Sequence, residues 1–326
     1  MDPPPIPKMN IFSKLINPKK NDYQSKLNTE IELYEKIFDH NLSQSVPPSW
    51  DKVEKYFADI LELKCGVRNL YEYVEKHVVK NKLKKVKILG LGSGACGNEL
   101  DGIIPLLTKH NIAVELSCLD INQHALDIAQ AEALKRGVKF IPLVKDINSY
   151  NIKKNTYDVI VAYASLHHFM KLNRLCKQIN NGLKKNGVLV TVDIPTQNGY
   201  LMWPETYDVV CNLWKIIPPQ FKLDHTGFSK PTHVEFFPNI DYSKDSFECV
   251  NSKDVIPSLR KNLKEVVFVP AMSICRRFFD TKFGPNYDFS KSLDNSIFTF
   301  ITMLDSYYLE KNILKPETFF GAYLKK

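Results

Sequence analysis

The chain has 326 residues, 44% of them hydrophobic and 25% charged. That composition excludes a disordered, collagenous or low-complexity protein and suits two domains or one enlarged α/β domain. The 44 Lys and Arg against 36 Asp and Glu leave a formal charge of +8, a dispersed excess that admits an anionic ligand without marking a nucleic-acid binder. Seven cysteines, at 65, 96, 118, 176, 211, 249 and 275, form no Cys-x-x-Cys pair. This argues against a disulfide framework or a thiolate metal site and for a reducing compartment. No apolar run reaches the ~18 residues of a membrane-crossing helix. The start, Met-Asp-Pro-Pro-Pro-Ile-Pro, lacks the basic and apolar regions of a signal peptide. The cytoplasm is the expected location.

Residues 1–24, rich in Pro, Lys and Asn, read as a flexible arm. Residues 25–82 read as an N-terminal helical extension. Val67, Leu70, Tyr71, Val74 and Val78 follow the i, i+3, i+4 spacing of an amphipathic helix, and Pro47-Pro48 breaks the earlier helices from the later ones. From 83 to 195 strands and helices alternate. Val86–Leu91 is a buried strand, followed by a glycine-rich turn and a helix carrying Leu100, Ile103, Ile104 and Leu107. Val114–Asp120 is the second strand; Asn122 caps the next helix, which ends at Gly137. Strands follow at Lys139–Val144 and Tyr157–Ala162. A helical face of Leu172, Leu175, Cys176, Ile179 and Leu183 comes next, and Asn186-Gly187 turns into a fifth strand, Val188–Val192. This order predicts an α/β, doubly wound, mostly parallel sheet whose strand carboxyl ends form one ligand-binding edge. Residues 196–260 break the rhythm and read as an inserted cap. Residues 261–326 rejoin the sheet, with strands at Glu265–Pro270 and Phe319–Leu324 around a helix near 293–310.

Gly90, Gly92, Gly94 and Gly97 stand between a strand and a helix, where backbone turns tightly and helix N–H groups face a ligand. Asp120 ends the next strand, placed to accept both hydroxyls of a ribose. Gly92-x-Gly94-x-x-Gly97 satisfies the dinucleotide fingerprint, with the acid 26 residues beyond Gly94, so an NAD(P)-dependent oxidoreductase is one reading. Other blocks favour a second cofactor. Lys87–Leu100 resembles motif I of class I S-adenosylmethionine-dependent methyltransferases. Tyr157–Phe169 resembles the family's fourth-strand block, and Leu183–Val190 its block leading into strand five. The resemblance covers residues 60–195, with a weaker tail at 265–270 and 315–325. It implies a seven-stranded Rossmann-like sheet, S-adenosyl-L-methionine as cofactor, and an in-line displacement of the sulfonium methyl. It places Gly90, Gly92, Ser93 and Gly94 along the methionine and ribose region, Asp120 with Ile121 at the ribose, Asp146 and Ile147 flanking adenine, and Tyr163 near the transferring methyl. Gly90 departs from the family, which carries Asp or Glu there to help hold the methionine end. Backbone, water or another side chain must then do that work. A catalytically silent fold used as a binding subunit is a third reading, resting on Gly90.

The second half is similar to a set of bacterial methyltransferases, through Trp203, Phe247–Pro257 and Glu265-Val266-Val267, which implies a small-molecule or glycan-type acceptor. Within the cap, Tyr200, Trp203 and Trp214 are candidate pocket walls. A hydroxyl acceptor needs a general base. His233, set between Pro231 and Phe236-Phe237, is the first candidate, His225 the second and His168 the third. Asp193 ends strand five on the same edge. No histidine pair stands at i, i+4 with a cysteine partner, so no metal site is expected. There is no G-x-S-x-G elbow. The position after strand four, Ala162-Tyr163-Ala164-Ser165, lacks the Pro-Pro-aromatic turn of amino-group base methyltransferases, and no Pro-Cys pair is present. Nucleic acid is not the expected partner.

Overall fold

The computed structural model describes residues 23–39, 47, 49–226 and 230–326. The arm expected at 1–24 lies outside them apart from Tyr23 and Gln24, which already belong to the first helix, α1 (Tyr23–Asp39). Two further helices precede the sheet, α2 (Ser49–Cys65) and α3 (Leu70–Lys80). Asn69 caps α3 by accepting the Glu72 N–H at 2.9 Å, and Leu70, Val74 and Val78 are buried on one face. The helical spacing seen in the sequence is therefore a packing face.

The strands β1 (Lys85–Leu91), β2 (Ala113–Asp120), β3 (Lys139–Val144), β4 (Tyr157–Tyr163) and β5 (Leu183–Asp193) pair in parallel. Four are apolar runs buried on both faces, as a sheet covered by helices requires. β6 (Leu223–Asp224) and β7 (Thr232–His233) form a separate hairpin. β8 (Lys264–Ala271) and β9 (Thr318–Leu324) complete the main sheet, in the order β3-β2-β1-β4-β5-β9-β8. β9 is antiparallel to both neighbours, so β8 runs the same way as β1 to β5. The carboxyl ends of six strands thus share one edge.

The first crossover opens as a π-helical turn at Asn98–Ile103 and continues as α4 (Ile104–Lys109). The others are α5 (Gln123–Lys135), capped by Asn122, and α6 (Leu172–Gly182). Two apolar cores lie on the two faces of the sheet. A third joins Val53 of α2 to α7 (Pro204–Ile216), α9 (Cys275–Phe279) and α10 (Ser292–Glu310). The segment expected as a cap is thus continuous with the C-terminal part. Its last helix, α8 (Val255–Asn262), buries Val255 and Leu259 in the sheet's own core against α6, so the insertion gives way to the core layers before residue 260. No described helix is long and apolar enough to cross a membrane.

Candidate functional site

The turn after β1 is shaped by backbone that only glycine adopts easily: Gly92 has φ +62° and Gly94 +51°. The Gly92 N–H reaches Leu119 O at 2.8 Å and the Gly94 N–H reaches Asp120 Oδ2 at 2.8 Å. Asp120 Oδ1 accepts the Asn122 N–H at 2.9 Å. Burial raises the Asp120 carboxyl, opposed by the N–H groups of Asn122, Gly94 and Ile121. Each oxygen already holds one N–H and retains lone-pair capacity for a ligand hydroxyl.

Beside this acid runs a cleft of about 810 Å³, counting its open mouth. Gly92, Gly94, Asp120, Ile121, Asp146 and Ile147, all expected at the cofactor, line it together with His168 and Phe169. Tyr163 is 39% exposed at the end of β4 and does not line this cleft. Two groups that the sequence did not suggest also line it: Tyr23 and Glu30 of α1. Tyr23 donates to Asp146 Oδ2 at 2.7 Å and accepts from Asn148 Nδ2 at 2.8 Å, so α1 closes the far end. Burial, then the Asp146 contact, pushes the Tyr23 hydroxyl up to about 12.

Gly90 has a clear structural counterpart. A Cβ on it would fall 2.1 Å from Ser93 Oγ and 2.4 Å from Glu99 Oε1. The carboxyl of Glu99, carried on the π-helical turn, thus occupies the space a side chain at 90 would take. Ser93 donates to Glu99 Oε1 at 3.0 Å, and Oε2 is buried without a hydrogen-bond partner. Burial is the main cause that pushes this carboxyl up to about 7.

A second buried group stands where β4 and β5 end. Asp193 accepts from the N–H groups of Ser165, Leu166 and Ile194, and its Oδ1 meets His167 Nδ1 at 2.7 Å. Burial works to raise the Asp193 carboxyl, but His167 and these N–H groups hold it below the usual carboxylate range. Asp193 therefore fixes the turn that presents His168. His168 Nε2 lies 3.6 Å from Glu248 and its Nδ1 lies 3.6 Å from Glu30. Burial and the neighbouring His167 push His168 down to about 4, so its ring is neutral near pH 7.

Several expected site residues lie elsewhere. His233 is exposed on the β6–β7 hairpin, paired with Leu223. Phe236 beside it is 76% exposed while Phe237 turns into the third core, so no apolar pocket encloses the ring. We expect His233→Ala to leave stability within about 0.5 kcal/mol of the parent and turnover unchanged. A loss of turnover with intact cofactor affinity would restore it to the site. His225 Nε2 pairs with Asn286 Oδ1 at 2.8 Å and its N–H with Lys282 O, tying the hairpin to the loop after α9. Trp214 is 2% exposed and packs edge-on against Phe237 at 5.0 Å; it is core rather than a pocket wall. Trp203 donates to Pro195 O at 3.2 Å beneath the Lys315 ammonium, and it does not line the cleft. Tyr200 has the Arg277 guanidinium 4.1 Å from its ring centre and does not line the cleft either. Of the three candidate bases, only His168 lies at the cleft.

Comparison with known proteins gives one family match and several structural likenesses. Residues 91–191 match the profile of a methyltransferase domain. No curated protein matches. Among solved structures, the cyclase SpnF is 14% identical at TM-score 0.43, with 78% of this chain and 81% of that chain covered. A geranyl diphosphate C-methyltransferase from Streptomyces coelicolor A3(2) is 9% identical at TM-score 0.41, covering 83% and 81%. A TehB-like SAM-dependent methyltransferase from Corynebacterium glutamicum is 12% identical at TM-score 0.36, covering 77% and 87%. The matched residues run from the end of β1 into β5 and include Gly92, Gly94 and Gly97 of the glycine turn, Asp120, Asp146 and Tyr163; the match favours S-adenosylmethionine over a dinucleotide as the cofactor. Residues 91–191 carry a methyltransferase domain, set in a seven-stranded Rossmann-like sheet.

Proposed function

We propose that the protein methylates an oxygen or nitrogen of a small-molecule or glycan-type acceptor, and that it does so in the cytoplasm. The observation that supports a small acceptor is the enclosure of the site: α1 closes one end of the cleft through Tyr23 and Asp146.

The residues present fit the cofactor. Asp120 offers a carboxylate at the mouth of a slot walled by Ile121 and Ile147. Gly92 lets backbone approach closely, since a Cβ there would meet Ser165 at 3.0 Å and Phe169 at 3.2 Å. When bound, S-adenosylmethionine supplies a sulfonium methyl carbon that an acceptor lone pair displaces from sulfur, leaving a thioether and releasing a proton from an O–H or N–H acceptor. The chain's own part is positional. Asp120 holds the ribose hydroxyls. Asp146 and Ile147 flank the base. Glu99, buried where a side chain at 90 would stand, would supply the carboxylate for the ammonium of the methionine end, in place of the acid missing at 90. Tyr163 and the Asp193-fixed turn define the edge where the acceptor lies. Excluding water and fixing geometry supply most of the rate gain in such a reaction.

The test is a methyl-transfer screen. The protein is incubated with deuteromethyl-labelled S-adenosylmethionine and fractions of small metabolites and glycans, and products are read by mass. A labelled product of low mass supports the reading. Label found only in nucleic acid or protein would replace it.

A further inference from the structure

One cation at the strand edge has no counter-ion in contact among the described residues. Arg276 and Arg277 lie on α9, just beyond β8, whose carboxyl end shares its edge with β4 and β5. Arg277 is committed to the fold: its Nε meets the buried carboxylate of Glu317 at 2.5 Å, and its Nη2 donates to Tyr200 O at 3.2 Å. Arg276 differs. Among the described residues its Nε is buried and faces no acceptor, and no carboxylate lies within ion-pair distance of it. Its guanidinium is held between two rings, 5.8 Å from the centre of Trp50 on α2 and 5.9 Å from that of Tyr200.

The cation lies at the carboxyl edge of the sheet, outside the lining of the cofactor cleft. Its charge is felt at Tyr163, His167 and Glu248. Asp280 also lies in its field, but its Oδ1 accepts the Lys282 N–H instead. A partly buried guanidinium without an acceptor is costly. An arginine fixed between aromatic faces is also a pre-organised fork for a planar or tetrahedral oxyanion. Ring contacts alone account for the packing of the side chain. They leave the Nε hydrogen unanswered.

We propose that Arg276 binds an oxyanion, a carboxylate or a phosphate, carried by the methyl acceptor, with Trp50 and Tyr200 holding the guanidinium in place. Calling the ligand the acceptor rests on the methyl-transfer reading; the anion site itself does not.

The test uses the full chain saturated with S-adenosylhomocysteine, whose own titration is the first arm. Failure to bind it would count against the methyl-transfer reading and leave the anion arms readable on the free protein. Benzoate, phenyl phosphate and the neutral benzamide are then titrated by ligand-observed NMR. We expect benzoate or phenyl phosphate to bind at least about tenfold tighter than benzamide, and the preferred anion to say which oxyanion the site takes. Arg276→Gln should remove that preference, Arg276→Lys should keep part of it, and S-adenosylhomocysteine affinity should stay within about twofold in both. If Arg276→Gln does not fold, the parent and the Lys variant still decide. Equal binding of benzamide and both anions, or an undiminished preference in Arg276→Gln, would overturn the proposal. A loss of S-adenosylhomocysteine affinity in Arg276→Lys would move the arginine to the cofactor and overturn it as well.

Discussion

Asp120→Ala is expected to weaken S-adenosylmethionine binding by at least about tenfold. Charge-assisted hydrogen bonds contribute about 1.5–3 kcal/mol each, and the carboxylate has capacity for one ribose hydroxyl on each oxygen. The same oxygens hold the N–H groups of Gly94 and Asn122 at 2.8 and 2.9 Å, so part of the loss comes from a loosened glycine turn. Asp120→Asn separates the two parts. Its amide oxygen preserves one N–H contact while the negative charge is gone. We expect an affinity between those of the parent and the Ala variant, with a lowered melting temperature because the amide NH2 faces the other backbone N–H. Calorimetric titration of both variants checks this. Parent affinity in Asp120→Ala would mean that the ribose lies elsewhere.

Glu99→Gln should change both cofactor affinity and the way stability depends on pH. The Glu99 carboxyl is held at about 7 in the fold against 4.5 for the ordinary group. A raised carboxyl contributes stability that is fully present below about pH 4.5 and is lost as pH rises through 7, because the fold must then bury a charge. The loss is on the order of 3 kcal/mol. Glutamine has no proton to lose. The variant should therefore lose less stability than the parent between pH 5 and 8 when no cofactor is present. Glu30 is also raised to about 7 by burial and titrates in the same window, so Glu30→Gln serves as the companion measurement. Cofactor affinity should move the other way. The parent binds S-adenosylmethionine more tightly as pH rises toward 7.5, where the carboxylate forms opposite an ammonium. The Gln variant should bind at least about tenfold more weakly at pH 7.5, with little pH dependence. Denaturant unfolding and calorimetry across pH 5–8 read both effects. Identical affinity and an identical stability slope in Glu99→Gln would exclude the carboxylate from both roles.

What the sequence made legible was whatever local periodicity encodes. The strands were readable because Ile88, Leu89, Val159, Ile160 and Val161 lie in short runs that a doubly covered sheet buries completely. The glycine turn and Asp120 were readable because strand, turn, helix and acid come in order. Glu99 was not. It stands nine positions beyond Gly90, and only the π-helical turn at Asn98–Ile103 returns its carboxyl to the end of β1. Tyr23 falls in the stretch that reads as an arm because its partner, Asp146, is 123 residues away. Such a tertiary contact leaves no local trace. The core position of Trp214 leaves no local trace for a related reason. Trp214 and Phe237 pack into the core with Phe278 and Phe283, from segments that adjoin only after folding. An aromatic side chain reads alike in sequence whether it walls a pocket or fills a core. His233 follows the same pattern, since a hairpin of two-residue strands has no alternation to say which side faces solvent.

The central claim is the identity of the cofactor that the glycine turn serves. Titrating the protein side by side with S-adenosylhomocysteine and NADH, by calorimetry and by thermal unfolding, tests it most directly. We expect one molecule of S-adenosylhomocysteine per chain and a stabilisation of about 2.7 kcal/mol at 100 times its dissociation constant, with no response to NADH. Saturable binding of NADH, with neither heat nor stabilisation from S-adenosylhomocysteine, would contradict the account.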